Sequence, residues 1–222
     1  MPDSSEDDTD LTARLQACYT GVVHDVMRER GLRDFVLPST IRPLIPEKRL
    51  AGPVFTLSGR IEPTADPHET LLQWTGFLGK ARPGSVVVCQ PNDSTIAHMG
   101  ELSAETLQRR GVRGYLVDGG CRDVAFILKL GFPVFCRYAT PRDVVGHWLP
   151  DGMDVPVRIG ETDIHPGDYL LADRDGACVL PRAGAGEIVT AAETAMQTEN
   201  KVRRAILDGM DPQEAYLKYG KF

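Results

Sequence analysis

The chain has 222 residues, of which 42% are hydrophobic and 25% charged, and its formal net charge is −6 at pH 7. These values are ordinary for a globular protein and exclude global disorder, a collagen-like chain and a coiled coil. Residues 1–10 hold five of the 31 acidic residues and no basic residue. The rest of the chain therefore carries 26 acidic and 25 basic residues and is nearly neutral. A nearly neutral body disfavours nucleic-acid binding. We expect a disordered acidic arm over residues 1–10 and a single domain over residues 11–222.

The five cysteines are odd in number, widely spaced and mostly placed in apolar stretches. This usage predicts reduced, buried thiols and a cytoplasmic protein. The absence of a CxxC pair disfavours a structural zinc site. The sequence shows neither a signal-peptide pattern nor an apolar run near the ~18 residues of a membrane span, so we expect a soluble protein without membrane contact.

The first third of the chain predicts a helix, a strand and a second helix. Apolar residues at steps of three and four predict one helix over 11–31. β-prone residues predict a strand over 51–59. Asp66 precedes a proline and an acid in the positions typical of a helix start, which predicts a helix over 67–80.

The centre of the chain alternates short apolar runs with helix-forming segments. We expect strands over 85–90, 114–118 and 133–137, and helices over 104–110 and 122–130. This alternation is typical of an α/β unit with parallel strands.

The last third of the chain has a more antiparallel pattern. Alternation over 155–159 indicates a strand, and the runs 169–172 and 177–180 flank a turn, which predicts a hairpin. A helical stripe covers about 183–207, and Asp211 begins a short last helix.

The stretch 114–123 carries the strongest chemical signal. A buried strand ends at Gly119 and Gly120, and the following helix begins with Arg122 and Asp123. Glycines allow the backbone to approach a ligand closely, a guanidinium grips a carboxylate by two bonds, and a carboxylate can hold a divalent cation. The set suits a small oxo acid bound to a metal. The alternative is structural, with Asp123 capping the helix and Arg122 paired on the surface.

Glu101 adds a second acid to this set. Twenty residues separate it from Arg122, enough for one helix and one strand, so both side chains can reach the same end of the sheet. The five histidines lack the paired spacing of metal ligands. Cys121 lacks a convincing base, which favours an inert thiol over a nucleophile.

Several longer runs closely resemble the family of regulator of ribonuclease activity A (RraA) and of the class II aldolase for 4-hydroxy-4-methyl-2-oxoglutarate and 4-carboxy-4-hydroxy-2-oxoadipate. The similarity extends from about residue 11 to residue 220. It rests on the runs 100–102, 117–123, 130–135, 140–141, 165–168 and 173–176.

This resemblance implies an α/β protein with a swivelling β/β/α domain and a mixed central sheet flanked by helices. It also implies a homotrimer or homohexamer with active sites at subunit interfaces and a magnesium or manganese ion. Asp123 would be the direct metal ligand, and Arg122 would bind the substrate oxygen and stabilise an enolate. Glu101 would act through a water held by the metal.

The resemblance also places the carboxylate of a 2-oxo acid near the backbone of Gly100, Leu102 and Ser103. Glu199, on the C-terminal helix, resembles an acid that reaches the site of the neighbouring subunit.

The implied activity is a carbon–carbon lyase that cleaves a 4-hydroxy-2-oxo acid to pyruvate, with oxaloacetate decarboxylation as a side activity. Two alternatives stay open: a non-catalytic RraA-like regulator that binds a ribonuclease, and a lyase of the same family that acts on a different oxo acid. The second alternative arises because Cys121, Tyr138 and the segment 144–148 depart from the family pattern.

Overall fold

The structure is a computed structural model that describes the backbone from Ser4 to Phe222 and the side chains from Asp8 onward. In this part of the chain the helices are α1 Ser4–Ala17, α2 Thr20–Glu29, α3 Pro67–Lys80, α4 Glu101–Arg109, α5 Val124–Leu130, α6 Ala185–Leu207 and α7 Pro212–Tyr219. The longer strands are β2 Leu50–Ile61, β3 Val86–Gln90, β4 Gly114–Val117, β6 Val134–Cys136, β8 Trp148–Met153, β11 Tyr169–Ala172 and β12 Ala177–Leu180. The shorter strands are β1 Arg42–Pro43, β5 Gly120–Cys121, β7 Tyr138–Ala139, β9 Val157–Ile159 and β10 Thr162–Ile164.

The central sheet is mixed, as predicted. Its strands follow the order β1, β6, β4, β3, β2, β11, β12, and β8 also pairs with β2. Strands β2, β3, β4 and β6 run parallel to one another, whereas β1, β8, β11 and β12 are antiparallel to their neighbours. The long strand β2 joins the two parts because it pairs with β11 near its start and with β8 near its end. The predicted α/β fold, with a mixed central sheet flanked by helices, is confirmed.

Alternate side chains of the strands enter different cores. Val87 and Tyr115 pack in the core that also contains residues of α3, α4 and α5. Val86 and Leu116 point to the opposite face, where residues of β9 and β10 cover them. A third core holds α1, α2 and α6 against β11 and β12. The parallel part of the sheet is therefore covered on both faces, and its loops are left to form the site.

Several predicted elements match the structure closely. Helix α3 runs over the predicted residues, and the carboxylate of Asp66 accepts a hydrogen bond from the backbone nitrogen of Glu69 at 3.0 Å. Such a cap stabilises a helix by about 1 kcal/mol. The predicted hairpin is formed by β11 and β12. Asp211 caps α7 in the predicted way.

The helix predicted over 11–31 is broken into α1 and α2. The break lies at Cys18 and Tyr19, where Tyr19 is extended. The cause is a distant side chain: the buried carboxylate of Asp173 accepts hydrogen bonds from the backbone nitrogen of Thr20 at 2.9 Å and from its hydroxyl at 2.7 Å. The turn between β11 and β12 thus supplies the cap of α2.

The predicted acidic arm also differs from the structure where it is described. Residues 1–3 lie outside the described backbone, but α1 begins at Ser4. The carboxylate of Asp8 accepts hydrogen bonds from the hydroxyl of Tyr169 and, at 3.0 Å, from the guanidinium of Arg182. These two partners hold the start of α1 against β11, which an isolated acidic segment would not reveal.

The prediction of reduced, buried thiols is confirmed, since all five cysteines are free and buried. Between residues 4 and 222, the structure contains no helix with the length and apolar character needed to cross a bilayer.

Candidate active site

The candidate site lies beyond the carboxyl ends of the parallel strands β3 and β4. The loop after β3 and the loop after β4 are joined by backbone hydrogen bonds: His98 donates to Gly120 at 2.9 Å, and Arg122 donates to Met99 at 2.8 Å. These bonds bring the start of α4 beside the start of α5. The sequence prediction that Glu101 and Arg122 share one end of the sheet is therefore correct.

Gly100 allows the two helix starts to approach closely. A Cβ atom at this position would lie 2.8 Å from Oδ2 of Asp123 and 3.2 Å from Cγ of Arg122. The backbone nitrogen of Glu101 donates a hydrogen bond to the same Oδ2 atom at 3.1 Å. Asp123 is thus fixed against α4 through a contact that only a residue without a side chain permits at position 100.

Asp123 is the residue before α5, yet its side chain makes no capping hydrogen bond with that helix. The part of the structural alternative in which the Asp123 carboxylate caps its own helix is therefore wrong. Its other part holds, since the partly exposed Arg122 is paired with Asp143. Asp123 adopts left-handed backbone angles, with φ 56° and ψ 35°. Such angles cost an ordinary residue about 1–2 kcal/mol and are tolerated best by Gly, Asn and Asp. This backbone directs the carboxylate toward Gly100 and away from α5.

Arg122 is held by two carboxylates. Its Nη1 atom donates to Oδ2 of Asp143 at 3.2 Å, and its Nε atom lies 3.5 Å from Oδ2 of Asp123. The side chain of Arg122 remains 38% exposed, so the guanidinium is positioned but still accessible to a ligand. Sequence reasoning missed Asp143, because nothing in the local spacing connects the loop after β7 with Arg122.

These residues line a cavity of about 640 Å³. This volume is typical of small-molecule sites. The polar part of the lining contains Gly100, Glu101, Ser103, Arg122, Asp123 and Asp143, and an apolar part is supplied by α3 and by Val144 and Val145. Every predicted site residue except Glu199 lines this one cavity, Leu102 included.

The first turn of α4 is tied to α3 by Ser103 and Trp74. The indole Nε1 atom of Trp74 donates to Oγ of Ser103 at 2.8 Å. Because the Ser103 oxygen accepts this bond, its hydroxyl proton remains available for a ligand. Trp74 is buried and also forms part of the cavity wall.

His98 forms a neutral wall behind the cavity. Burial lowers the pKa of His98 to about 4, although the Asp93 carboxylate 3.6 Å from its Nε2 atom acts in the opposite direction. Its ring packs edge-on against Trp148, with ring centroids 5.2 Å apart. In the described part of the chain neither ring nitrogen has a hydrogen-bond partner. His98 is therefore uncharged at neutral pH.

The glycines after β4 have a different use from the one predicted. A Cβ atom at Gly120 would lie 2.4 Å from the ring of Tyr138, and one at Gly119 would lie 2.9 Å from the ring of His98. The two glycines admit neighbouring side chains rather than a ligand. Tyr138, expected near the pocket, instead donates its hydroxyl to the carbonyl of Ile96 at 3.0 Å and does not line the cavity.

Cys121 is fully buried directly before Arg122. Its hydrogen bond with the Cys136 thiol, followed by burial, raises the pKa of Cys121. The thiol is therefore held protonated, in agreement with the inert thiol inferred from the sequence.

Glu199 lies in a second cavity, of about 410 Å³, near the C-terminus. Its carboxylate accepts a hydrogen bond from the Tyr19 hydroxyl and lies 3.7 Å from Nζ of Lys221. Within one chain it does not join the other predicted site residues. Its reach toward a neighbouring subunit stays a prediction.

The donor set of the first cavity fits a hydrated divalent cation. Both contacts of Asp123 use Oδ2, which leaves Oδ1 for a ligand. Magnesium is usually held by one or two carboxylates while it keeps several waters. Glu101 and Asp143 place further carboxylates on the same lining. A cage of three or more His, Cys, Asp or Glu side chains is not found among the described residues.

Comparison with known proteins shows the family of this chain. The family model of the RraA-like proteins, described as Aldolase/RraA, matches residues 20–179. The chain belongs to the RraA-like family. The match contains the whole of the first cavity and ends before Glu199.

A relative of this RraA-like protein from Halalkalibacterium halodurans, provisionally named a 4-hydroxy-4-methyl-2-oxoglutarate aldolase, is 27% identical over 219 residues. The alignment covers 96% of the chain and 97% of the relative.

Two solved structures share the fold. The crystal structure of Streptomyces coelicolor RraAS2, described as an unusual member of the RNase ES inhibitor RraA protein family, gives a TM-score of 0.78 at 29% identity, covering 88% of this chain and 96% of that one. A structure described as novel cellulases from microbes associated with the gut ecosystem gives a TM-score of 0.82 at 32% identity, covering 87% of each chain.

Proposed function

We propose that this RraA-like protein is a divalent-metal-dependent lyase that releases pyruvate from a 4-hydroxy-2-oxo acid, with oxaloacetate decarboxylation as a side activity. The observation that carries the proposal is the arrangement of Arg122, Asp123 and the start of α4 in one cavity. Asp123 is fixed by the backbone of Glu101, and Arg122 lies beside it. The aldolase name of the Halalkalibacterium halodurans relative supports the same activity.

The pyruvyl end of the substrate carries a carboxylate and a 2-oxo oxygen. Helix α4 offers the unpaired N–H groups of a helix start near Leu102 and Ser103, a favourable place for an anion. The Ser103 hydroxyl can donate to the same group. We assign the substrate carboxylate to this helix start and the 2-oxo oxygen to Arg122.

Bond cleavage between C3 and C4 leaves a pyruvate enolate, whose charge develops on the 2-oxo oxygen. The guanidinium of Arg122 can stabilise that charge because Asp123 and Asp143 already fix its orientation, and a preorganised donor needs little rearrangement. The same enolate arises when oxaloacetate loses carbon dioxide, which explains why both reactions are expected from one site.

Retro-aldol cleavage also requires a base for the proton of the 4-hydroxyl group. The carboxylate of Glu101, on the cavity lining, is our candidate acceptor, directly or through one water. His98 is a poor alternative, because it is fully buried and faces Asp93 and Trp148.

We assign the metal to Asp123 and expect magnesium or manganese. When bound, the ion would supply Lewis acidity to the oxygens of the 2-oxo acid. We further propose a homotrimer or homohexamer in which Glu199 of one chain approaches the site of another, as the family resemblance implies.

Pyruvate release, coupled to lactate dehydrogenase, tests the proposal with 4-hydroxy-4-methyl-2-oxoglutarate and oxaloacetate as substrates. We expect release with magnesium, and its loss with excess chelator or in Asp123→Ala. Full activity in chelator or in the variant would contradict the proposed lyase.

The competing function is regulation of a ribonuclease by protein contact, favoured by the likeness to RraAS2. It predicts no pyruvate from either substrate and a ribonuclease recovered in a pull-down at low salt. It also predicts that Asp123→Ala leaves that interaction unchanged, which separates it from the lyase.

A further inference from the structure

The lining of the cavity divides into a charged part and an apolar part. Leu71, Trp74 and Leu78 lie at steps of three and four on α3, so they share one face of that helix. Val144 and Val145 extend the apolar surface from the loop that carries Asp143. This loop is tied to α3 because the backbone nitrogen of Gly146 donates to the Thr70 hydroxyl at 3.2 Å.

The charges of the lining are unequal in number. Glu101, Asp123 and Asp143 contribute three carboxylates, whereas Arg122 is the one cation among the described residues of the lining. A divalent ion would balance the excess. The proposed function then assigns Arg122 and the start of α4 to the pyruvyl end of the substrate, which leaves no further cation for a second carboxylate on the described lining of this chain.

A second carboxylate on the substrate would therefore meet the apolar face of α3 or the like charge of Asp143. Either contact removes water from a charge without supplying a partner, which costs free energy. An alkyl or aryl group in the same place would instead remove apolar surface from water, both its own and that of Leu71 and Val145, which is favourable.

Building on the proposed lyase activity, we propose that the substrate of this protein is a 4-hydroxy-2-oxo monocarboxylic acid with an uncharged, apolar group at C4. The apolar face of α3, together with Val144 and Val145, receives that group. Asp143 has a second effect, since its charge disfavours dicarboxylic substrates.

The test compares two substrates that differ only at this group: 4-hydroxy-4-methyl-2-oxoglutarate and 4-hydroxy-4-methyl-2-oxopentanoate, in which a methyl group replaces the distal carboxylate. Pyruvate release with magnesium gives kcat/KM for each. We expect the wild-type kcat/KM to be about tenfold or more higher for the monocarboxylic acid, which corresponds to the free-energy cost of leaving one charge without a partner.

Leu71→Lys separates this preference from the intrinsic reactivity of the two compounds. Leu71 is 48% exposed, so a lysine there is compatible with folding, and it adds a cation to the apolar wall. The ratio of kcat/KM should shift toward the dicarboxylic acid by about tenfold. Leu72→Lys is the matched control, because Leu72 is 58% exposed on the same helix but does not line the cavity. Its ratio should equal that of the wild type.

A wild-type preference for the dicarboxylic acid, or an unchanged ratio in Leu71→Lys, would overturn the inference and leave the proposed lyase intact. If neither compound and not even oxaloacetate yields pyruvate, the proposed function fails and the inference fails with it.

Discussion

The cavity of Arg122 and the cavity of Glu199 both contain carboxylates, and they differ in how those groups are held. In the first, Asp123 and Asp143 orient Arg122, and the polar groups remain about 40% exposed toward the cavity. In the second, Glu199 is only 19% exposed and is held by Tyr19 and Lys221. The first cavity therefore contains a set of groups that can act together on a ligand, whereas the second offers one acid that its own chain already binds.

Arg122→Ala, in the first cavity, should have the largest effect on pyruvate release. Loss of one preorganised donor to a developing oxyanion typically lowers turnover by about a hundred- to a thousandfold, and we expect a fall of that size in pyruvate release. The thermal unfolding midpoint should change little, because the side chain is 38% exposed.

Arg109→Ala is the control for Arg122→Ala, since Arg109 is an exposed residue of the last turn of α4. Equal activity of the two variants would remove Arg122 from the chemistry.

His98, behind the first cavity, makes the free energy of unfolding depend on pH. The pKa of His98 is about 4 in the folded chain and about 6.5 in an unfolded one, so the unfolded state binds the additional proton between these values. The free energy of unfolding therefore decreases as pH falls from 6.5 to 4, and the full loss, reached below pH 4, is ~3 kcal/mol.

Urea unfolding of wild type and His98→Phe at several pH values isolates this contribution from those of the carboxylates. The free energy of unfolding should fall less steeply in the variant between pH 6.5 and 4. Parallel curves for the two proteins would show that His98 titrates normally.

Gly100→Ala tests the close approach of the two helix starts. The added Cβ would displace the Asp123 carboxylate, the end of a side chain, so the effect should appear in activity more than in folding. We expect a tenfold or greater loss of pyruvate release and weaker magnesium binding by calorimetry.

Gly79→Ala, in α3 with open space around it, is the matched control for Gly100→Ala. It should keep full activity and gain up to about 1 kcal/mol of stability. Normal activity in Gly100→Ala would show that the position of Asp123 is not critical.

Glu199→Gln should have the smallest effect on stability, below ~1 kcal/mol, because it replaces a partly exposed ion pair. If Glu199 serves a neighbouring site, pyruvate release falls severalfold in this variant. Tyr19→Phe removes the hydrogen bond that the Tyr19 hydroxyl donates to Glu199 and keeps the carboxylate, so its activity should stay normal. Equal activity losses in both variants would indicate a purely structural role.

Much of the parallel sheet and of the charged site could be predicted from the sequence. Local sequence patterns are enough to predict α3, because its capping residue Asp66 is adjacent to the helix in sequence. They also predict that Glu101 and Arg122 lie at one end of parallel strands. They fail where a residue distant in sequence determines the local structure. Asp173 breaks the first predicted helix by capping α2 at Thr20, 153 residues earlier in the chain. Asp143 contacts Arg122 from a different loop.

Enolate stabilisation in the cavity of Arg122 and Asp123 is tested directly by exchange of the C3 protons of pyruvate for deuterium, followed by proton NMR. Exchange requires only the enolate, so it does not depend on the physiological substrate. With magnesium, the wild-type protein should exchange the methyl protons at least a hundredfold faster than Asp123→Asn or the wild type in excess chelator. Equal exchange in all three samples would show that the cavity of Arg122 and Asp123 does not stabilise an enolate.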